Sequence, residues 1–259
     1  MNLFWMKILG RFKSTNSYEK QETALFTAGS KLQTRRGLTV TFHDDFDRHQ
    51  LENWCWNPGF YFRNEKLLRH YSFVNEKQAN NGGKNTTLSN SNLQIYTRQE
   101  TAKTQAWHPQ KGFAPKQFLF TSDIIQSAAG FRQQGGVFKA KLRCSGPIHH
   151  AFWLGTEQEE PHINIFHFNG SEIEVGYVSH GTTYSRIIKG IHPDKYYIYT
   201  LEWTPKELVW SINNLVVFRA NQSIPRMPLH LVFNSFIPDH LPGNTGLLEV
   251  DWVRVYAYK

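Results

Sequence analysis

Cysteine is scarce in this chain of 259 residues, and Cys55 and Cys144 alone are too few for a disulfide-rich scaffold. Charge is thin as well, at 19% of residues. No run of 18 apolar residues occurs, so nothing reads as a helix crossing a membrane. What the chain has in quantity is aromatic side chains, with 8 Trp, 11 Tyr and 19 Phe in a sequence that is 40% hydrophobic. That composition excludes global disorder and supplies the material of one large core.

The net charge of +8 is unevenly placed. Residues 1–37 carry Lys7, Arg11, Lys13, Lys20, Lys31, Arg35 and Arg36 against Glu19 and Glu22, a net +5, and the remaining 222 residues carry +3. A nucleic-acid binder concentrates positive charge on its folded body, so nucleic acid is not an expected partner. A secretory signal passes from a basic stretch through an unbroken apolar run to a small-residue cleavage site. In MNLFWMKILGRFKS the apolar residues come first, Lys7 interrupts them and no A-x-A follows. The leader therefore reads as a short amphipathic helix and a linker up to residue 37. A membrane-surface or protein contact through its basic residues, or a degenerate signal, are the alternatives, and the compartment stays open.

From residue 38 the pattern is β throughout. In GGVFKAKLRC, Phe138, Ala140, Leu142 and Cys144 alternate with Val137, Lys139, Lys141 and Arg143, as in a strand with one buried face, which makes Cys144 a core thiol. IYTLEW and ELVWSI are further strands, and Asn213-Asn214 marks a tight hairpin before LVVFR. The C-terminal run alternates Val250, Trp252, Arg254 and Tyr256 against Glu249, Asp251, Val253 and Val255. Trp203, Trp210 and Trp252 belong to the scaffold on this reading, and Trp54 and Trp56 are undecided. Short strands, turn signals and no long helical period predict an all-β sandwich or jelly roll.

An ordered set of segments resembles the family 16 glycoside hydrolases, the laminarinase and β-glucanase group. FHDDFDRHQLENWCW is similar to the family's first strand and the turn after it, NTTLSNSNLQIYTR to the segment that follows, and FTSDIIQS with GGVFKAKLRCSG to strands leading to the cleft. HHAFWLG resembles the family's W-P-A-F-W run, and YYIYTLEWTPKELVWSINN, MPLHLVFN and VDWVRVY resemble the closing half. The resemblance covers residues 38–259 and implies one concanavalin A-like jelly roll of two antiparallel sheets, preceded by a short N-terminal extension.

The departures fall on the chemistry. The family's catalytic strand reads E-x-D-x-x-E, and the same slot here reads His162-Ile163-Asn164-Ile165-Phe166-His167. The spacing is kept and every carboxylate is replaced. His149 and His150 stand in the places of Trp and Pro in W-P-A-F-W. Strict alternation would bury His167 among isoleucines, whereas a β-bulge near 165–166 turns Ile163 and Phe166 inward and His162, Asn164 and His167 toward a groove.

Retaining hydrolysis needs two carboxyl groups about 5–5.5 Å apart, and neither imidazole nor amide replaces the nucleophile. The resemblance thus implies a catalytically degenerate protein that keeps a groove for a β-linked polysaccharide or oligosaccharide. Sugar rings pack on aromatic platforms, and amides and imidazoles bind hydroxyls, so Trp107, His149, His150, Trp153, Tyr177 and Asn234 are the candidate binding residues. Other readings are a hydrolase or transglycosylase recruiting another carboxylate, a lyase using a histidine base, and an interaction scaffold with no glycan. Zinc on the four histidines is disfavoured, because the short spacings of specific sites are missing. No cofactor is required, although the resemblance allows a structural calcium at Asp45 and Asp251. Glu157, Glu159 and Glu160 read as a solvated turn.

Overall fold

The computed structural model describes residues 37–51, 55–62, 66–69, 71–108, 110–157 and 160–259. The leader expected to be helical lies outside these residues, as do Trp54 and Glu159. Among the described residues every regular element is a strand.

Two antiparallel sheets form the body. The first runs Leu215–Ala220, Leu208–Ile212, Tyr197–Trp203, Gly136–Ser145, Gly246–Tyr258, Asn92–Thr97, Thr86–Ser89, with Leu38–Asp44 also paired to Gly246–Tyr258. The second runs Thr182–Ile188, Ile173–Ser179, His162–Asn169, His149–Gly155, His230–Phe236, Ile124–Gln126, Asn57–Pro58. Alternate residues meet between them: Phe138, Ala140, Leu142 and Cys144 from the first sheet face Phe152, Leu154, Ile163 and Phe166 from the second. Burial pushes the Cys144 thiol pKa up, and a nearby Asp194 adds to this, so it is an inert core group.

Local chemistry explains the joints. Asn213 and Asn214 both take positive φ, at 48° and 69°, in the two-residue turn that joins Leu208–Ile212 to Leu215–Ala220. The Asp44 carboxylate accepts from the Phe46 amide at 2.9 Å and from the Trp56 indole at 2.7 Å, tying the turn after the first strand to a fully buried Trp56. Gly136 has φ 112°, and a Cβ there would stand 2.1 Å from the Tyr256 carbonyl oxygen, so the sheet closes only over a hydrogen atom.

The C-terminal alternation is interrupted. Leu142 pairs with Val250 and Lys141 with Trp252, which leaves Asp251 as an extra residue. Val250 lies in the core before this bulge, and Val253 and Val255 lie there after it. Trp252 is instead covered by Arg254, whose guanidinium carbon sits 4.4 Å from the ring centroid.

A lobe built from segments of residues 60–80 and 102–122 adds three small sheets. The hairpin of Ala102–His108 and Gly112–Phe118 pairs with Tyr71–Phe73, Gln78–Asn80 pairs with Phe120–Ser122, and Phe60–Phe62 pairs with Lys66–Leu68. Two of these pairings are parallel, Tyr71–Phe73 with Ala102–His108 and Gln78–Asn80 with Phe120–Ser122. The lobe covers the side of the second sheet that faces away from the core, where Ile124, Ala151, Trp153 and Val232 pack together against Phe60. His149–Gly155 and His230–Phe236 are consequently buried at every position, where a sheet with one solvated face would alternate.

Candidate functional site

The strand His162–Asn169 carries the bulge at Ile165. Phe152 pairs with Phe166 and Trp153 with Asn164, skipping one residue, and the register slips again on the other side, between Asn164 and His167. Ile163 and Phe166 enter the core, while His162, Asn164 and His167 line a cavity on the opposite face. Two contacts hold the irregularity. The Trp210 indole, from the first sheet, donates to the Asn164 carbonyl oxygen at 2.8 Å. Gly176 stands opposite Asn164, where a Cβ would lie 2.3 Å from the Tyr184 carbonyl oxygen.

The cavity measures about 10 Å³, room for a single water molecule. Its floor is Ala151, Trp153, His162, Asn164, His167 and Asn234, and its cover is Phe60, Phe73 and Glu76 from the lobe. His162, Asn164 and His167 are 2%, 4% and 2% exposed. The open groove expected over these positions is therefore filled by the chain's own side chains.

Inside, several of the polar groups bond to one another. His162 Nε2 donates to the Asn164 side-chain oxygen at 2.6 Å, and the Trp153 ring stacks on the imidazole with centroids 4.3 Å apart. The Trp153 indole donates to the Asn234 side-chain oxygen at 2.9 Å. His167 Nε2 and His149 Nδ1 share a proton at 3.0 Å, and His167 Nδ1 lies 3.9 Å from Glu174 Oε2, beyond hydrogen-bond range. Burial lowers the His162 pKa to about 4, His167 to about 3 and His149 to about 2, so all three imidazoles are neutral at physiological pH.

Glu76 is the residue the sequence reading missed. It is 4% exposed, and its Oε2 accepts from the Gln78 amide at 2.7 Å. Burial pushes its carboxyl up to about 8 against the lowering effect of that hydrogen bond, so it holds its proton at neutral pH. Glu174, raised by burial to about 7, is the second such group. A signal for Glu174 did exist, because in IEVGYVS it alternates with the core residues Ile173 and Val175. For Glu76 there was none, since its place depends on a lobe assembled from distant segments.

Two binding candidates need correction. Tyr177 lies in the core, stacked on Tyr184 and Trp210, with its hydroxyl donating to the Gln222 carbonyl oxygen. His150 also turns inward: its Nε2 donates to the Ser145 carbonyl oxygen at 3.0 Å and its Nδ1 accepts from the Ser235 hydroxyl at 2.8 Å. Strand alternation explains both, because His150 follows Phe152 and Leu154 inward while His149, Ala151 and Trp153 share the other face. Trp107 stands on the outer hairpin against Phe113, with ring centroids 4.9 Å apart, and does not line the cavity.

The calcium positions do not fit the ion. Asp45 accepts from the Arg254 guanidinium at 3.0 Å and Asp251 meets Lys141 at 2.5 Å, so each carboxylate is already neutralised by a cation. Among the described residues no group of three or more His, Cys, Asp or Glu could hold a metal, the clustered histidines included. In the turn expected to be solvated, Glu157 pairs with Arg132 and Glu160 accepts from the Gly181 amide.

No family model matches the chain. A xylanase/β-glucanase of Ruminococcus flavefaciens is 23% identical over 124 residues, which is 47% of this chain and only 14% of that much longer protein. Among solved structures, the endo-1,3-β-glucanase (laminarinase) catalytic domain of Thermotoga petrophila RKU-1 superposes with a TM-score of 0.66 at 16% identity, covering 86% of this chain and 98% of that one. The endo-β-1,3-glucanase of Pyrococcus furiosus gives 0.67 at 18%, covering 86% and 95%. The κ-carrageenase of Pseudoalteromonas carrageenovora, solved with a κ-carrageenan oligotetrasaccharide, gives 0.67 at 16%, covering 88% and 100%. The chain has the jelly-roll fold of the family 16 laminarinases and glucanases.

Proposed function

We propose that this glycosidase-fold protein binds a β-linked polysaccharide without cleaving it. The observation that carries the reading is the set of three neutral residues, His162, Asn164 and His167, on the bulged strand. Retaining hydrolysis requires a carboxylate nucleophile and a second carboxyl about 5–5.5 Å away. Among the described residues Glu76 is the single carboxyl lining the cavity, and in its protonated form it donates a hydrogen bond but cannot attack an anomeric carbon. Aromatic rings around the cavity mouth and on the outer hairpin suit the apolar faces of sugars.

Glu76 also supports a second reading, an unconventional hydrolase. With the Phe60 and Phe73 rings displaced and Glu76 left in place, its carboxyl would protonate the leaving oxygen while a neutral imidazole took a proton from the attacking water. The test is mass spectrometry of soluble products after long incubation with a panel of β-linked polysaccharides, alongside retention of the protein on the same polymers. Retention without products supports binding alone. Oligosaccharides carrying one added water, and lost in Glu76→Gln, would replace it with the second reading. A folded protein that neither binds nor cleaves any member would leave a scaffold role instead.

A further inference from the structure

The charge of the folded body is small in sum but sharply divided. Residues 66–118 hold eight Lys and Arg residues against Glu76 and Glu100, a net +6, and the rest of residues 38–259 carries a net −3. Outside this segment several cations meet carboxylates: Lys141 meets Asp251, Arg143 meets Glu249, Arg132 meets Glu157 and Arg219 meets Glu207. Within it, Lys77, Lys84, Arg98, Lys103, Lys111 and Lys116 have no carboxylate partner among the described residues. The ammonium groups of Lys77 and Lys116 rest on main-chain carbonyl oxygens, of Leu241 and of Val74 and Glu76. Glu76 is held protonated, and Glu100 is engaged by the Thr121 hydroxyl.

A row of aromatic rings crosses the same lobe. Phe60 and Phe73 cover the cavity, Tyr71 packs on both, Phe113 packs on Tyr71 at 5.1 Å and Trp107 packs on Phe113. Phe113 is 44% exposed. The register Phe113 with Trp107 and Gln117 with Lys103 places all four residues on one face of the hairpin. Lys103 stands about 13 Å from Trp107 along the strand, and Lys111 flanks the turn next to Phe113. Rings for sugar faces, amides for hydroxyls and unmatched ammonium groups therefore share one outward surface.

We infer that the polysaccharide bound here is anionic, a carboxylate- or sulfate-bearing glycan lying along the outer face of the hairpin over Phe113 and Trp107, its charges met by Lys103 and Lys111. This rests on the glycan-binding reading above and adds the charge class of the ligand and the place where it binds. Unmatched cations beside these rings raise the local concentration of an anionic polymer and orient it, an effect that salt screens over roughly 8–10 Å. A neutral glucan would gain nothing from them.

The test uses the full chain in affinity electrophoresis against a neutral β-glucan, the same glucan after chemical sulfation, and duplex DNA, at low and high salt. The sulfated polymer is expected to bind at least about tenfold more tightly than the neutral one at low salt. That advantage should fall severalfold in Lys103→Gln/Lys111→Gln and in Phe113→Ala, all exposed positions whose replacement leaves the fold intact. Equal retention of neutral and sulfated glucan, indifferent to the lysine variant, would overturn the anionic assignment while leaving glycan binding in place. DNA held as tightly as the sulfated glucan and unaffected by Phe113→Ala would mean a charge-only surface and remove the glycan from it. No retention of any polymer by folded protein would remove both readings together.

Discussion

At the scale of single residues the site is defined by protons held in unusual places. His149, His150, His162, His167 and His230 all sit below the ordinary imidazole pKa because burial penalises their charged forms. The unfolded chain therefore takes up protons below about pH 6.5 that the folded chain refuses, and stability falls as the pH drops through that value. Glu174 and Glu76 act in the opposite sense. Their raised pKa values, about 7 and about 8, mean that stability is lost as pH rises through them. Thermal melting followed across pH should thus peak between these limbs, with the steeper slope on the acid side, and His149→Asn should flatten that side.

The obvious experiment of restoring the family's carboxylates follows the same logic. His162→Glu with Asn164→Asp and His167→Glu would place three acids at positions no more than 4% exposed, under Phe60 and Phe73. Each unpaired buried charge costs about 3–5 kcal/mol unless it keeps its proton. The expected result is a melting temperature far below that of the parent and no hydrolysis. Substantial hydrolysis from a stable triple variant would show that the cover opens readily.

At the scale of elements, the bulge at Ile165 is the feature on which the site turns, since it moves His167 to the cavity face while Phe166 stays in the core. Its supports are Trp210 and Gly176. Trp210→Phe removes the donor to the Asn164 carbonyl and should cost about 1–3 kcal/mol in chemical unfolding. Gly176→Ala forces the neighbouring strand away from the Tyr184 carbonyl and should cost more, with His162 and His167 ring signals shifted in NMR spectra.

Much of this element was legible in the sequence, because placing a histidine between isoleucines is unfavourable and one inserted residue removes the conflict. The hairpin at Asn213-Asn214 was legible for a related reason: few residues accept two successive positive φ angles. The inward turn of His150 and Tyr177 was also available from alternation, but the expectation of a groove outweighed it. The second bulge, at Asp251, was not readable, because Trp252, Val253 and Val255 suit either face of a strand.

At the scale of the whole molecule, the closed cavity depends on a lobe that no local pattern announces. Alternation reports which residues share a face and is silent on what covers that face. The cover comes from pairings such as Tyr71–Phe73 with Ala102–His108, parallel and about thirty residues apart. Phe60→Ala with Phe73→Ala should enlarge the space above Trp153 and His162, expose the indole to quenchers of fluorescence and lower stability by several kcal/mol. If polysaccharide retention rises in that variant, the floor itself has become a binding surface. If it is unchanged, binding belongs to the outer hairpin.

The position of Gly246–Tyr258 carries a consequence for how the protein is made. This strand lies in the middle of the first sheet, between Gly136–Ser145 and Asn92–Thr97, and also pairs with Leu38–Asp44. A ribosome delivers it after every strand it joins. Until it emerges, the nascent chain exposes two half-sheets with open edges, and Phe138, Leu142 and Leu93 lack the Val253 and Val255 that complete their core. Acquisition of the fold therefore waits until this strand has been made, and those edges need shielding until then.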